Sequence, residues 1–99
     1  MNEAKIFELL GLSKKANLLS YGYKTIEHNI LTGKTKLIIF SSDFSKKSTE
    51  KISKIAAECG IRTITLTADM NYFSNVTGKP AGVVSVNNDG FCKKILSLI

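Results

Sequence analysis

The segment Leu19-Ser20-Tyr21-Gly22-Tyr23-Lys24-Thr25-Ile26-Glu27-His28 reads as a short strand that hands over to a helix at a glycine. At the start of a helix several backbone N–H groups have no partner within the helix, and the aligned peptide dipoles add positive potential. Such an end can receive a phosphate or the acceptor edge of a guanine. Gly22 would let a nucleic-acid backbone approach with no Cβ in the way. Lys24 stands where its ammonium can donate to guanine O6 and N7. Thr25 and His28 lie on the same exposed side, one and four positions further on. Taken alone, these residues fit an ordinary solvated helix start slightly better.

A second segment, Val76-Thr77-Gly78-Lys79-Pro80-Ala81-Gly82, combines two glycines, a proline and a small residue. It offers backbone groups and a modest apolar surface of the kind that can lie against splayed nucleotides, the usual targets of RNA readers. For this loop alone, a connection whose glycines serve turn geometry is the better reading.

Other chemistry is poorly supplied. His28 is the only histidine, and no HxH, HExxH or Cys/His cluster surrounds it, so no metal site is expected. GYKT and GKPAG lack phosphate-loop spacing, GxGxxG is missing, and no GxSxG elbow exists to serve a nucleophile. Asp43, Glu58 and Asp69 give no sign of a working carboxylate pair. Neither a cofactor nor hydrolytic or metal-dependent catalysis is expected. Cys59 and Cys92 form no CxxC pair and read as two reduced thiols packed as small apolar groups.

The elements that must carry the two segments follow from periodicity. Residues 3–15 form a helix with Ile6, Phe7, Leu9 and Leu10 on its apolar side, Asn2 as N-cap and Glu3 at the positive end of the dipole. Leu18–Tyr21 is a short strand. Gly22 opens a helix to about Thr32, with Ile26 and Ile30 one turn apart and Gly33 as its stop. KLIIFS at Lys36–Ser41 has the central apolar run of a strand covered on both faces. A helix over about Lys46–Cys59 buries Ile52, Ile55, Ala56 and Cys59 and shows Lys46, Lys47, Lys51 and Lys54 to solvent. Ile61–Leu66 is another strand, and Asp69–Val76 is a short helix capped by Thr67 or Asp69. Val83–Val86 is the last strand, and a helix over about Gly90–Leu98, capped by Asp89, closes the chain. Helix and strand alternate throughout, which calls for an α/β chain folded as a three-layer α/β/α domain.

With 99 residues, 43% of them hydrophobic, the chain has enough length for one core and is expected to be a single domain over residues 1–99. No signal peptide is visible and no stretch approaches the roughly 18 apolar residues of a membrane span, so a soluble, cytoplasmic protein without membrane contact is expected. The net charge is +6 and the pI about 9.5, in the range of nucleic-acid-binding domains. Arg62 is the only arginine; every other basic residue is lysine. Lysine is a point charge suited to phosphates, whereas bidentate base reading favours arginine, so backbone attraction is expected to outweigh an arginine code.

Together the segments resemble the L7Ae/L30e family of ribosomal and RNA-processing proteins. That family shows a GxNExxK-like helix start, then GKxKLVIxAxD, and an LGxAxGK-type loop before its last strand. The counterparts are Gly22–His28, then Gly33-Lys34-Thr35-Lys36-Leu37-Ile38-Ile39-Phe40-Ser41-Ser42-Asp43, then Phe73-Ser74-Asn75-Val76-Thr77-Gly78-Lys79. The opening FELLGLSKKANLLSYG and closing DGFCKKILSLI look most like the small bacterial members. The resemblance implies an α/β/α sandwich around a mixed four-stranded sheet, and binding to kink-turns, RNA elements with a three-nucleotide bulge beside tandem G·A pairs. It implies a structured RNA partner, ribosomal RNA among the candidates, bound by a monomer. Carried over, Gly22 and Tyr23 would open the helix against the RNA, with Gly22 admitting its backbone, and Lys24 would contact guanine. Lys34 and Lys36 would meet phosphates, and Thr77, Gly78 and Lys79 would line the late loop. Thr25 stands where the family carries Glu or Gln, His28 where it carries lysine, and Phe73-Ser74 where it carries Leu-Gly. The other reading is a protein-docking member of the fold that uses the surface around Tyr21 and Tyr23; a small-molecule enzyme on the same sandwich is a remote third.

Overall fold

A computed structural model describes residues 2–99. In chain order the elements are α1 (Glu3–Lys15), β1 (Leu19–Tyr21), α2 (Tyr23–Leu31), β2 (Leu37–Phe40), α3 (Lys46–Glu58), β3 (Arg62–Thr65), α4 (Met70–Thr77), β4 (Val83–Val86) and α5 (Asp89–Leu96). The four strands make one sheet in the order β1-β4-β2-β3. β2 and β3 are parallel; β4 runs antiparallel to both β1 and β2, so the sheet is mixed.

All four residues of β2 are buried, as are all four of β4, in keeping with a strand pair covered on both faces. Leu37 pairs with Val86 and Ile39 with Val84, and these four side chains share one face. There they meet Ile6 and Leu10 of α1, Phe73 of α4, and Cys92 and Ile95 of α5. Ile38, Phe40 and Val83 point the other way, onto Ile26 and Ile30 of α2 and Ile52 and Ala56 of α3. The result is three layers, helices on both faces of one sheet. Each fully buried Ile, Leu or Phe adds about 1.5–3 kcal/mol relative to an exposed one.

Local signals set most helix ends. The Asn2 side chain accepts from the Lys5 N–H at 3.2 Å, as expected of the α1 cap. Glu3 does more than oppose a dipole. Its carboxylate accepts from Thr67 N–H (2.8 Å), the Thr67 hydroxyl (2.9 Å) and Ala68 N–H (3.3 Å), and so clasps α1 to the connection before α4. That clasp uses Thr67, and Asp69 alone caps α4, accepting from Tyr72 N–H at 2.8 Å. α5 begins one residue early and ends two residues early relative to expectation. Its cap is Asn88, whose extended backbone and side-chain oxygen (2.9 Å from Phe91 N) meet the requirement, while Asp89 occupies the first turn. The thiols also differ from expectation. Cys92 is buried, but Cys59 is the exposed C-terminal cap of α3, one residue past its last turn.

Asp43 holds the connection after β2. Its carboxylate accepts from the Ser41 hydroxyl at 3.0 Å and from Met70 N–H at 2.9 Å, tying this connection to the start of α4. Phe44 then lies over Phe40 and against Gly82, where a Cβ would clash with the Cδ1 edge of its ring. Gly82→Ala must therefore displace Phe44 or the backbone, and a loss of about 1–3 kcal/mol is expected from urea denaturation.

Candidate nucleic-acid interface

Tyr21, the last residue of β1, pairs with Val84 near the start of β4. The chain then turns through Gly22 at φ +96° and ψ 138°, a conformation side-chain-bearing residues rarely adopt, and Gly22 N–H donates to Val83 O at 3.4 Å. α2 starts at once and is seated by Ile26, Asn29 and Ile30, all buried. That seating turns Lys24, Thr25 and His28 outward, as their spacing predicts.

No side chain caps the first turn of α2, and no acidic residue lies in it. The other four helices each have a capping side chain, from Asn2, Ser45, Asp69 and Asn88. The first N–H groups of α2 are thus left for an outside acceptor, with the positive end of the dipole behind them.

Because β1 and β4 are antiparallel neighbours, the residues leaving β1 lie beside those entering β4. Gly22, Tyr23, Lys24 and Thr25 form one wall of a depression of about 560 Å³, and Lys79, Pro80, Ala81 and Gly82 form the other. Phe44 and Met70 also line it. Thr25 is shared with a second depression of about 580 Å³, which reaches Lys34 and Lys36. Ser20 accepts there from the side-chain amides of Asn29 (3.0 Å) and Asn87 (2.9 Å), and the Ser85 hydroxyl donates to Asn87 Oδ1 (3.1 Å). No Asp or Glu lines either depression.

The structure therefore brings together Gly22, Tyr23, Lys24, Thr25, Lys34, Lys36 and Lys79 of the residues expected to form the site. His28 is exposed one turn further along α2 and lines neither depression. Gly78 ends α4 in a left-handed conformation, its N–H donating to Ser74 O at 2.8 Å. Thr77 differs from expectation. It is the last residue of α4, only 3% exposed, with its hydroxyl 3.1 Å from Phe73 O and 2.6 Å from Lys79 O. It braces the loop from within and does not line it. Phe73 is likewise a core residue within α4.

Two lysines that sequence reasoning left out stand at the rim. Lys14 Nζ lies 6.0 Å from the Tyr21 ring centroid and 4.0 Å from the position a Cβ on Gly78 would take. Lys51, read as part of a plain solvent face, sits 5.6 Å from the Tyr23 ring centroid and 4.0 Å from the Glu27 carboxylate. Its pKa is raised above the ordinary lysine value by a hydrogen bond to Tyr23, then by the charges of Tyr23 and Glu27. Nothing local in the sequence marks either contact, since each joins separate elements, α1 with β1 for Lys14 and α3 with α2 for Lys51. Tyr21 and Tyr23 are half-buried, one packed against each core cluster, so neither stands out as a free aromatic surface. Among the described residues no group of three or more His, Cys, Asp or Glu could hold a metal ion.

A small α/β/α sandwich with a mixed sheet, in which an uncapped helix start faces a lysine-bearing loop, defines the structural class. The model of the ribosomal protein L7Ae/L30e/S12e/Gadd45 family matches residues 4–96, and the chain belongs to that family. It is 26% identical over 98 residues to the RNA-binding protein YlxQ of Enterococcus faecium, spanning 99% of this chain and 94% of that one. A Bacillus halodurans C protein of unknown function superposes with a TM-score of 0.89 at 26% identity, covering 96% of both chains. The 15.5kD RNA binding protein of Giardia lamblia shares the fold, with a TM-score of 0.78 at 13% identity over 97% of this chain and 82% of its own.

At Gly22 a Cβ would meet nothing within 4 Å, so the cost of a side chain there is backbone strain alone. Gly22→Ala is expected to lose about 1–3 kcal/mol of stability with an unchanged denaturant slope, measured by urea titration.

Proposed function

We propose that this chain is a non-catalytic RNA-binding protein that recognises a sharply bent, kink-turn-like RNA, ribosomal RNA or another structured RNA. The observation that carries this reading is the acid-free depression in which the uncapped start of α2 faces the Lys79–Gly82 loop. Family membership and the RNA-binding relative in E. faecium support it.

In this reading the first N–H groups of α2 donate to a phosphate or to a guanine acceptor edge, and Lys24 donates to guanine O6 and N7. Lys79 and the apolar side chains of Phe44, Met70 and Pro80 take the bases splayed out at the bend. Lys34 and Lys36 in the adjoining depression, with Lys14 at the other rim, meet phosphates of the flanking strands. Thr25 sits between the two depressions and is too short to take over the long polar side chain usual at its position. His28 lies beyond both and meets the RNA only at its margin. One protein chain serves one bend.

Electrophoretic mobility shift with a kink-turn RNA and a straightened control tests the reading; equal weak binding to both overturns it. Lys24→Ala is expected to cost about 1–3 kcal/mol of binding to the bent RNA and to narrow the preference for it. Lys36→Ala should instead weaken both RNAs alike and lower the slope of log affinity against log salt by about 1.

A further inference from the structure

We infer that the face of α1 around Gly11 and Leu12 is a self-association surface, at which two copies of this chain pair with their α1 helices antiparallel. Gly11 lies in the middle of α1, where glycine is a poor helix former. A Cβ at Gly11 would meet nothing within 4 Å, and its φ is not positive, so neither packing within the chain nor backbone conformation calls for glycine. A bare helix surface does allow a second helix to come close.

The surroundings match. Leu12 is 53% exposed and Tyr72 of α4 is 49% exposed, both large for apolar groups left to water. They line a groove of about 600 Å³ between α1 and α4, together with Phe7, Gly11 and Val76. Glu8 and Lys15 also line it, and neither has an ion-pair partner among the described residues.

The order of these residues names the occupant. The midpoint between Glu8 and Lys15 falls between Gly11 and Leu12. A two-fold axis through that point sets Glu8 of one copy opposite Lys15 of the other on each side, about 5 Å along the helix from the centre. It also sets each Leu12 over the other copy's Gly11, a knob over a bare surface. A patch complementary to itself under a two-fold is what a dimer interface between identical chains requires. One helix pair is at the small end of specific contacts, so pairing is weak and rises with concentration. The wall residues of the α2 and late-loop depression lie outside the contact, so the single chain remains the unit that would meet RNA.

Analytical ultracentrifugation from about 10 μM to about 1 mM, without RNA, tests this, and a dimer fraction that grows across the range is expected. Glu8→Lys and Lys15→Glu should each weaken association about fivefold, since each change counts twice across the axis. The double variant Glu8→Lys/Lys15→Glu should recover the original association. Gly11→Ala should weaken association while raising the melting temperature, a pair of opposite signs that a merely structural glycine does not give. A chain that stays monomeric at every concentration, as expected of a surface kept for some other protein, overturns the inference. So does a dimer that ignores the single swaps or is not restored by the double one.

Discussion

The antiparallel pairing of β1 with β4 is the constraint on which the site depends. Tyr21 faces Val84, and Gly22 N–H still reaches Val83 O. Whatever follows β1 is thereby held against whatever precedes β4, although about 60 residues separate them in the chain. The pairing is secured by what lies beneath it. β4 and β2 are buried on both faces, so a slip by one residue would turn Val84 and Val86 out of one core and Val83 out of the other. The separation of the two site walls is therefore fixed by core packing, and needs no contact between the walls themselves.

Stability is relinquished where the site lies. Four helices have side-chain caps, each worth about 1 kcal/mol, while α2 has a glycine with no cap and a backbone conformation that favours glycine. A Ser or Asp at position 22 would satisfy the free N–H groups, but would meet strain at φ +96° and occupy the donors. On the other wall, Gly82 has lost its Cβ to the Phe44 ring, which couples the late loop to the connection after β2. Asp43 links that connection to α4. The loop is thus backed by two connections and by the inward Thr77 hydroxyl.

Much of this was legible in the sequence, and the reason is physical. The bounds of α1, the doubly buried β2, the Gly22 start of α2 and its exposed trio Lys24, Thr25 and His28 follow from periodicity and local chemistry, which act over a few residues. Mixed pairing of the sheet came only through the resemblance, because alternation of elements does not specify strand order. The misjudged points depend on long-range geometry or on one residue of register. Thr77 turned inward because α4 runs one residue further than its pattern suggests. Cys59 fell just past the last turn of α3, where the buried face of a helix no longer dictates burial. Asn88 outcompeted Asp89 as a cap by one position. Lys14 and Lys51 became rim residues through contacts between separate elements that no local pattern encodes.

The charge inventory bears on how such a site can discriminate. Six lysines, Lys14, Lys24, Lys34, Lys36, Lys51 and Lys79, stand in or beside the two depressions, and the one arginine, Arg62, lies on the far edge strand β3. Ammonium groups attract phosphates with little demand on geometry, so they raise affinity for straight and bent RNA alike. The directional donors are the N–H groups of α2, whose positions are set by the helix and cannot rearrange. Under the proposed function, selectivity would rest on shape, since an RNA would have to be bent to reach the α2 donors and the late loop at once. Lys51 fits that division. It rests beside Tyr23 and Glu27 as an exposed charge, while Ile26 and Ile30 of α2, packed with Ile52 and Ala56 of α3, keep the directional wall in place.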